Sequence, residues 1–193
     1  MAEIIPRWEW RTFTHQPDVE TQIATYPLTR QVESSDVYIL SELSMENAKV
    51  RNDLMDIKSL QVVTKDGLEQ WKPVKKEKFP LPLDEVQKMF GVFRVPMPEF
   101  SKDTCTFDEF VELIKTDDRI ICVTVEKSRR LYDVDGCIVE VADLKIAGKS
   151  IMTVAVELED PDKVRDTIKM LGLTGLENIN YVTAIKQMHK GEL

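Results

Sequence analysis

Glycine is scarce, at 7 of 193 residues, and nowhere do glycines cluster into a phosphate-cradling loop of the P-loop kind. Any phosphate chemistry in this chain must use side chains. There are only three cysteines, Cys105, Cys122 and Cys137, an odd number without metal-ligand spacing, so neither a disulfide framework nor a zinc site is suggested. A reducing cytoplasm is the expected compartment. The only histidines, His15 and His189, lie far apart near the two ends, and no serine or cysteine joins them in a triad arrangement. Both read as surface residues. No apolar run approaches the ~18 residues of a membrane span, and the opening MAEIIPRWEW lacks the basic and apolar stretches of a leader. Secretion and membrane insertion are not expected. A surplus of positive charge is missing too: 26 Lys and Arg face 34 Asp and Glu, net −8, the opposite of a nucleic-acid binder's footprint. A short multivalent anion remains admissible, because it responds to the field of a cleft rather than to total charge.

What is present suits one core: 42% of the 193 residues are hydrophobic, and residues 1–193 read as a single domain. Short alternating segments at 8–13, 37–43, 48–52, 55–63, 70–79, 120–131, 137–146 and 150–158 are predicted strands. Helices are predicted over 19–26, 84–90, 107–115 and 161–171. Thr106 and Glu109 form a capping box for the third of these. Asp160 caps the fourth, with Pro161 at its first position and Gly172 past its end. Pro96, Pro98, Gly136 and Gly148 punctuate the chain as turns or breaks. Eight strands with hairpin-length connections and a few outer helices point to the α+β class, as a closed antiparallel β-barrel.

Charge is unevenly spread. Residues 49–78 hold eight basic against five acidic side chains, and residues 133–166 hold four against nine. Strand parity sharpens this, because residues i and i+2 share a face. Arg7, Glu9 and Arg11 fall on one face with Trp8 and Trp10 on the other. Lys49 pairs with Arg51, Lys58 lies on the face of Asp56, Lys127 pairs with Arg129, and Glu157 pairs with Glu159. Arg130 has the opposite parity to Arg129 and reads as surface. The run Lys72, Lys75, Lys76 and Lys78 reads as a solvated face, and Trp8, Trp10 and Trp71 as packing residues. The paired charges could line the open face of a sandwich. Alternatively, helices outside a barrel could bury the apolar faces and turn the charges into the lumen. A lumen of that kind suits a triphosphate, with Lys and Arg binding the phosphates and carboxylates holding Mg²⁺ or Mn²⁺.

In order and parity these motifs resemble the CYTH superfamily, or triphosphate tunnel metalloenzymes, which includes thiamine triphosphatases, inorganic triphosphatases and class IV adenylate cyclases. Arg7-Trp8-Glu9-Trp10-Arg11 stands where that family has its opening E-x-E-x-K strand. Lys49-Val50-Arg51 resembles its basic strand, Asp56-Ile57-Lys58 its lysine strand, and Lys127-Ser128-Arg129 with Tyr132 its K-x-R strand. Asp143 ahead of Gly148 resembles its aspartate before a turn, and Glu157-Leu158-Glu159 its late E-x-E before a helix. The resemblance implies substrate binding by Arg7, Arg11, Lys49, Arg51, Lys58, Lys127 and Arg129, with Lys127 and Arg129 also catalytic. It implies metal binding by Glu9, Asp143, Glu157 and Glu159. The opening motif departs in two places, and Arg7 puts a cation where the family has a metal-ligating glutamate. The expected activity is divalent-metal-dependent hydrolysis of a small triphosphate. A non-catalytic binder of polyphosphate or a phosphorylated ligand is the alternative, and a charged barrel for an unrelated small ligand stays open. Nothing in the sequence reads adenine, which sets cyclase chemistry behind these. No nucleic-acid or membrane partner is expected, and a homodimer is left open.

Overall fold

The computed structural model describes residues 5–193, so residues 1–4, the start of the segment read for a leader and of the predicted domain, lie outside it. Ten strands and five helices follow in chain order: β1 (Arg7–Thr12), α1 (Pro17–Ile23), β2 (Leu28–Ser41), β3 (Asn47–Arg51), β4 (Leu54–Val63), β5 (Glu69–Lys78), β6 (Leu81–Pro82), α2 (Leu83–Phe93), β7 (Thr104–Cys105), α3 (Phe107–Ile114), β8 (Ile120–Val134), β9 (Cys137–Ile146), β10 (Lys149–Leu158), α4 (Pro161–Met170) and α5 (Tyr181–Lys190). Eight of the strands close an antiparallel barrel in the order β1-β10-β9-β8-β2-β3-β4-β5, with β5 returning to β1. The short strands β6 and β7 pair separately.

Tight turns set the register. Asp135 and Gly136 join β8 to β9, and Ala147 and Gly148 join β9 to β10, both pairs with positive φ. Two such residues make the turn whose twist matches that of the flanking strands, and glycine occupies the second position without steric cost.

The apolar faces of the strands point outward and are covered. On one side Val50, Met55 and Ile57 pack beneath Met89, Phe90 and Phe93 of α2 and Phe110 of α3. On another, Trp10, Val139, Val141, Val154 and Val156 pack with Val164 of α4. The charges at alternate positions therefore turn inward, which decides between the sandwich and the barrel. The α3 capping box forms as expected: Thr106 Oγ1 accepts from the Glu109 amide, and Glu109 Oε2 accepts from the Thr106 amide at 2.8 Å. Asp160 caps α4 through the amides of Asp162 and Lys163.

Two differences from the sequence expectation bear on the site. Strand β2 begins at Leu28 rather than at residue 37. Its first half runs with β8 as a ribbon in which only Val32 and Ser34 are partly buried, so Leu28–Ser35 carries no apolar alternation to announce it. Helix α5 is the other. Tyr181, Val182, Ala184 and Ile185 pack against Leu40, Ala142, Leu144 and Ile146. Those strand residues have the parity of Tyr38 and Glu140, which face the lumen, so α5 fills one end of the barrel from within. The three cysteines are free, and among the described residues no helix is long and apolar enough to cross a membrane.

Candidate functional site

The unfilled part of the lumen is a cavity of about 100 Å³ to which seven of the eight barrel strands contribute side chains. Five cations line it: Arg11 from β1, Lys49 from β3, Lys58 from β4, and Lys127 and Arg129 from β8. Three carboxylates face them, Glu9, Glu140 and Glu157, with Tyr38, Asn47 and Tyr181 completing the wall. Lys58 and Glu157 also border a wider mouth of about 600 Å³, where Arg7, Asp56, Lys75, Lys76 and Glu159 stand.

Each carboxylate is already engaged. The Arg11 guanidinium donates through Nε to Glu9 at 3.2 Å, and through Nη1 to Glu140 at 3.0 Å and Thr153 at 3.2 Å. It also lies 4.5 Å above the Tyr181 ring. Burial favours the neutral acid at Glu9, but Arg11 and Lys58 outweigh it and hold the carboxyl below its ordinary range. Glu140 is likewise held down, against burial, by Arg11, Arg129 and Lys127. At the mouth Arg7 donates to Glu157 at 3.1 Å.

Lys127 is 4% exposed. Its ammonium donates to the Tyr38 hydroxyl at 2.6 Å, sits 3.2 Å from Asp36, and lies 4.1 Å over the Tyr181 ring. Burial pulls its pKa down to about 7, against the attraction of Asp36. Asp36 itself is fully buried and also accepts two hydrogen bonds from Arg51, one from Nη2 at 2.7 Å. Arg51 and Lys127 outweigh the burial of its carboxyl and draw its pKa down to about 2.

Among the described residues, two donors on the cavity wall, Arg129 Nε and the Tyr181 hydroxyl, are buried without a hydrogen-bond partner, as is one acceptor, Asn47 Oδ1. A buried donor left unmade costs about 1–3 kcal/mol, so two in one polar cavity mark where an acceptor ligand fits.

Of the residues singled out from the sequence, Glu9, Arg11, Lys49, Lys58, Lys127, Arg129 and Glu157 converge on the cavity, while Arg7 and Glu159 border its mouth. Arg51 does not line it, because Asp36 captures its guanidinium. Asp143 requires correction: it lies on the outer face of β9, with its side chain 60% exposed and paired to Arg130, and so cannot join a ligand set in the lumen. Of the lysine run read as a solvated face, Lys75 and Lys76 border the mouth. Sequence reading passed over Asp36, Tyr38, Asn47, Glu140 and Tyr181. Glu140, the one carboxylate on the lumen-facing side of β9, carried a readable signal.

The residues do not fit the implied Mg²⁺ or Mn²⁺ as they are arranged. Among the described residues no three acidic, histidine or cysteine side chains converge on one point, and Glu9 and Glu157 are held by cations.

No protein-family model matches the sequence, and no curated protein matches it either. Solved structures do match. HpAC1 from Hippeastrum, described as an adenylyl cyclase candidate with a dominant triphosphatase activity, superposes with a TM-score of 0.55 at 12% identity, over 97% of each chain. A conserved hypothetical protein from Pyrococcus furiosus gives 0.54 at 18% identity over 91% of this chain and 98% of that one. An adenylate cyclase candidate from Bacillus halodurans gives 0.51 at 12% identity over 94% and 96%. At such identities the likeness is one of fold, and the fold is the tunnel that the resemblance to triphosphate tunnel proteins implied.

Proposed function

We propose, taking that tunnel fold as premise, that this protein binds a small-molecule triphosphate end-on in its lumen and hydrolyses it, in the cytoplasm. The observation that carries the reading is the cavity wall itself: five cationic head groups on one narrow space, with the unpartnered donors Arg129 Nε and Tyr181 Oη among them. A chain of phosphates presents closely spaced acceptor oxygens, to which such donors form charge-assisted hydrogen bonds. The opposing carboxylates hold the guanidinium and ammonium groups in position. The site therefore needs little reorganisation when charge builds on the transferring phosphoryl group. Arg129 offers a planar fork to the equatorial oxygens, Arg11 keeps its Nη2 protons for them, and Lys49 and Lys58 act as point charges. Lys127, its pKa drawn down by burial to about 7, can carry or release a proton at Nζ near neutrality. No step is assigned to a metal, because the carboxylates that would hold one are occupied by cations.

The test is phosphate release from tripolyphosphate, thiamine triphosphate and ATP, each assayed with Mg²⁺, with Mn²⁺ and with EDTA. Release from at least one substrate is expected, and Arg129→Ala should lower it by roughly 10²–10³-fold, the usual loss for one charge-stabilising donor. The Arg7–Glu157 ion pair favours a second reading, a binder without turnover. Thermal stabilisation by these anions without any release selects it, and neither stabilisation nor release defeats both readings. Cyclic nucleotide formation from ATP is read in the same reactions.

A further inference from the structure

Where β1 meets β10, Glu9 and Glu157 stand directly opposite each other, and both line the tunnel. Two carboxylates in that relation repel unless a counter-ion lies between or beside them. A divalent cation could serve, but here side chains do so. Arg11 donates to Glu9 Oε1 at 3.2 Å, Lys58 Nζ stands 3.8 Å from Glu9 Oε2, and Arg7 Nη1 donates to Glu157 Oε1 at 3.1 Å. Arg11 is shared with Glu140, yet the cavity wall as a whole sets five cations against three carboxylates. An incoming divalent ion would meet a surplus of positive charge, whereas an incoming polyanion would not.

Arg7 is the member of this group that binding can recruit. It is two residues from Glu9 on the same face, and it is half exposed at the mouth that Lys58 and Glu157 also border. One of its five N–H donors is engaged by a side-chain carboxylate. We infer that Arg7 takes the place of the divalent cation. The tunnel binds its triphosphate-type anion without metal, and the Arg7 guanidinium bridges Glu157 to the outermost phosphate. This rests on the anion-binding reading of the tunnel and adds to it an independence from metal.

Calorimetric titration of tripolyphosphate decides the matter. Wild-type affinity in EDTA and in Mg²⁺ should agree within about threefold, Arg7→Ala should weaken it roughly tenfold or more, and Arg7→Lys should recover part of the loss. Arg7→Glu puts a third carboxylate on this wall, so tripolyphosphate should then bind only with Mn²⁺. Uptake of Mn²⁺ by that variant, absent from the wild type, is read directly from the paramagnetic signal of the free ion. Melting curves check that the variants are folded, and the wild-type and Arg7→Lys titrations decide even if Arg7→Glu is not. A metal requirement in the wild type, or full affinity in Arg7→Ala, overturns the role of Arg7 while leaving the tunnel reading intact. No wild-type binding with or without metal overturns both.

Discussion

Asp36 concentrates the electrostatic tension of the lumen in one side chain. It is fully buried, and it neutralises two cations at once, Arg51 and the nearly inaccessible Lys127. Removing one partner of a buried ion pair leaves an uncompensated charge and costs about 3–5 kcal/mol. For a chain of this size, where about 1 kcal/mol moves the midpoint by about 2–4 °C, Asp36→Asn should lower Tm by roughly 6 °C or more. The pH dependence has a definite sign. The folded carboxyl has its pKa lowered to about 2 against an ordinary value near 3.9. Its contribution is thus fully present above the ordinary value and lost as pH falls toward about 2, and Asp36→Asn should flatten that acid limb of the melting profile. Residue-level legibility ends near this side chain. Cations at i, i+2 were readable because parity is a local property, and Lys49, Lys58, Lys127 and Arg129 all face the cavity as expected. Arg51 also had the right parity, but its partner lies fifteen residues earlier on another strand, and only pairing across β2 and β3 brings the two together.

Helices α3 and α5 are both short and both capped by a side chain, Thr106 and Asn180, yet they do different work. α3 covers the outside wall, and Thr106→Ala should remove a capping box worth about 1 kcal/mol, lower Tm by about 2–4 °C and leave tripolyphosphate affinity unchanged. α5 stands inside the barrel, where Ile185 is 2% exposed. Ile185→Ala should cost about 2–5 kcal/mol and also weaken tripolyphosphate binding, since Tyr181 on the same helix props Arg11 and Lys127. Chemical denaturation together with calorimetric titration separates the two outcomes. Equal effects on affinity would contradict the division of labour. Sequence periodicity located α2, α3 and α4 to within a few residues, because each lays one apolar stripe on a strand face. Tyr181, Val182, Ala184 and Ile185, preceded by Asn180 and followed by Gly191, carry the same signal for α5. What no local pattern can show is that the stripe inserts into the barrel rather than resting on it.

Across the whole molecule, charge is sorted by location: the chain carries a net −8, while the lumen gathers cations beside their partners. A long polyanion lying on the outside meets repulsion along its length, screened beyond the ~8 Å Debye length of physiological salt but not abolished. A short one entering end-on meets the cavity field instead. Competition titrations at physiological salt should therefore show duplex DNA displacing tripolyphosphate at least about 100-fold more weakly than a second triphosphate does, a gap of about 2.7 kcal/mol. Near-equal displacement would argue for a surface site. The plug formed by α5 adds a consequence about traffic. With one end of the barrel filled, the lumen is a cul-de-sac, so under the proposed hydrolysis whatever is split inside must back out through the door by which it came. The fragment seated deepest leaves last, and until it leaves it bars the next substrate.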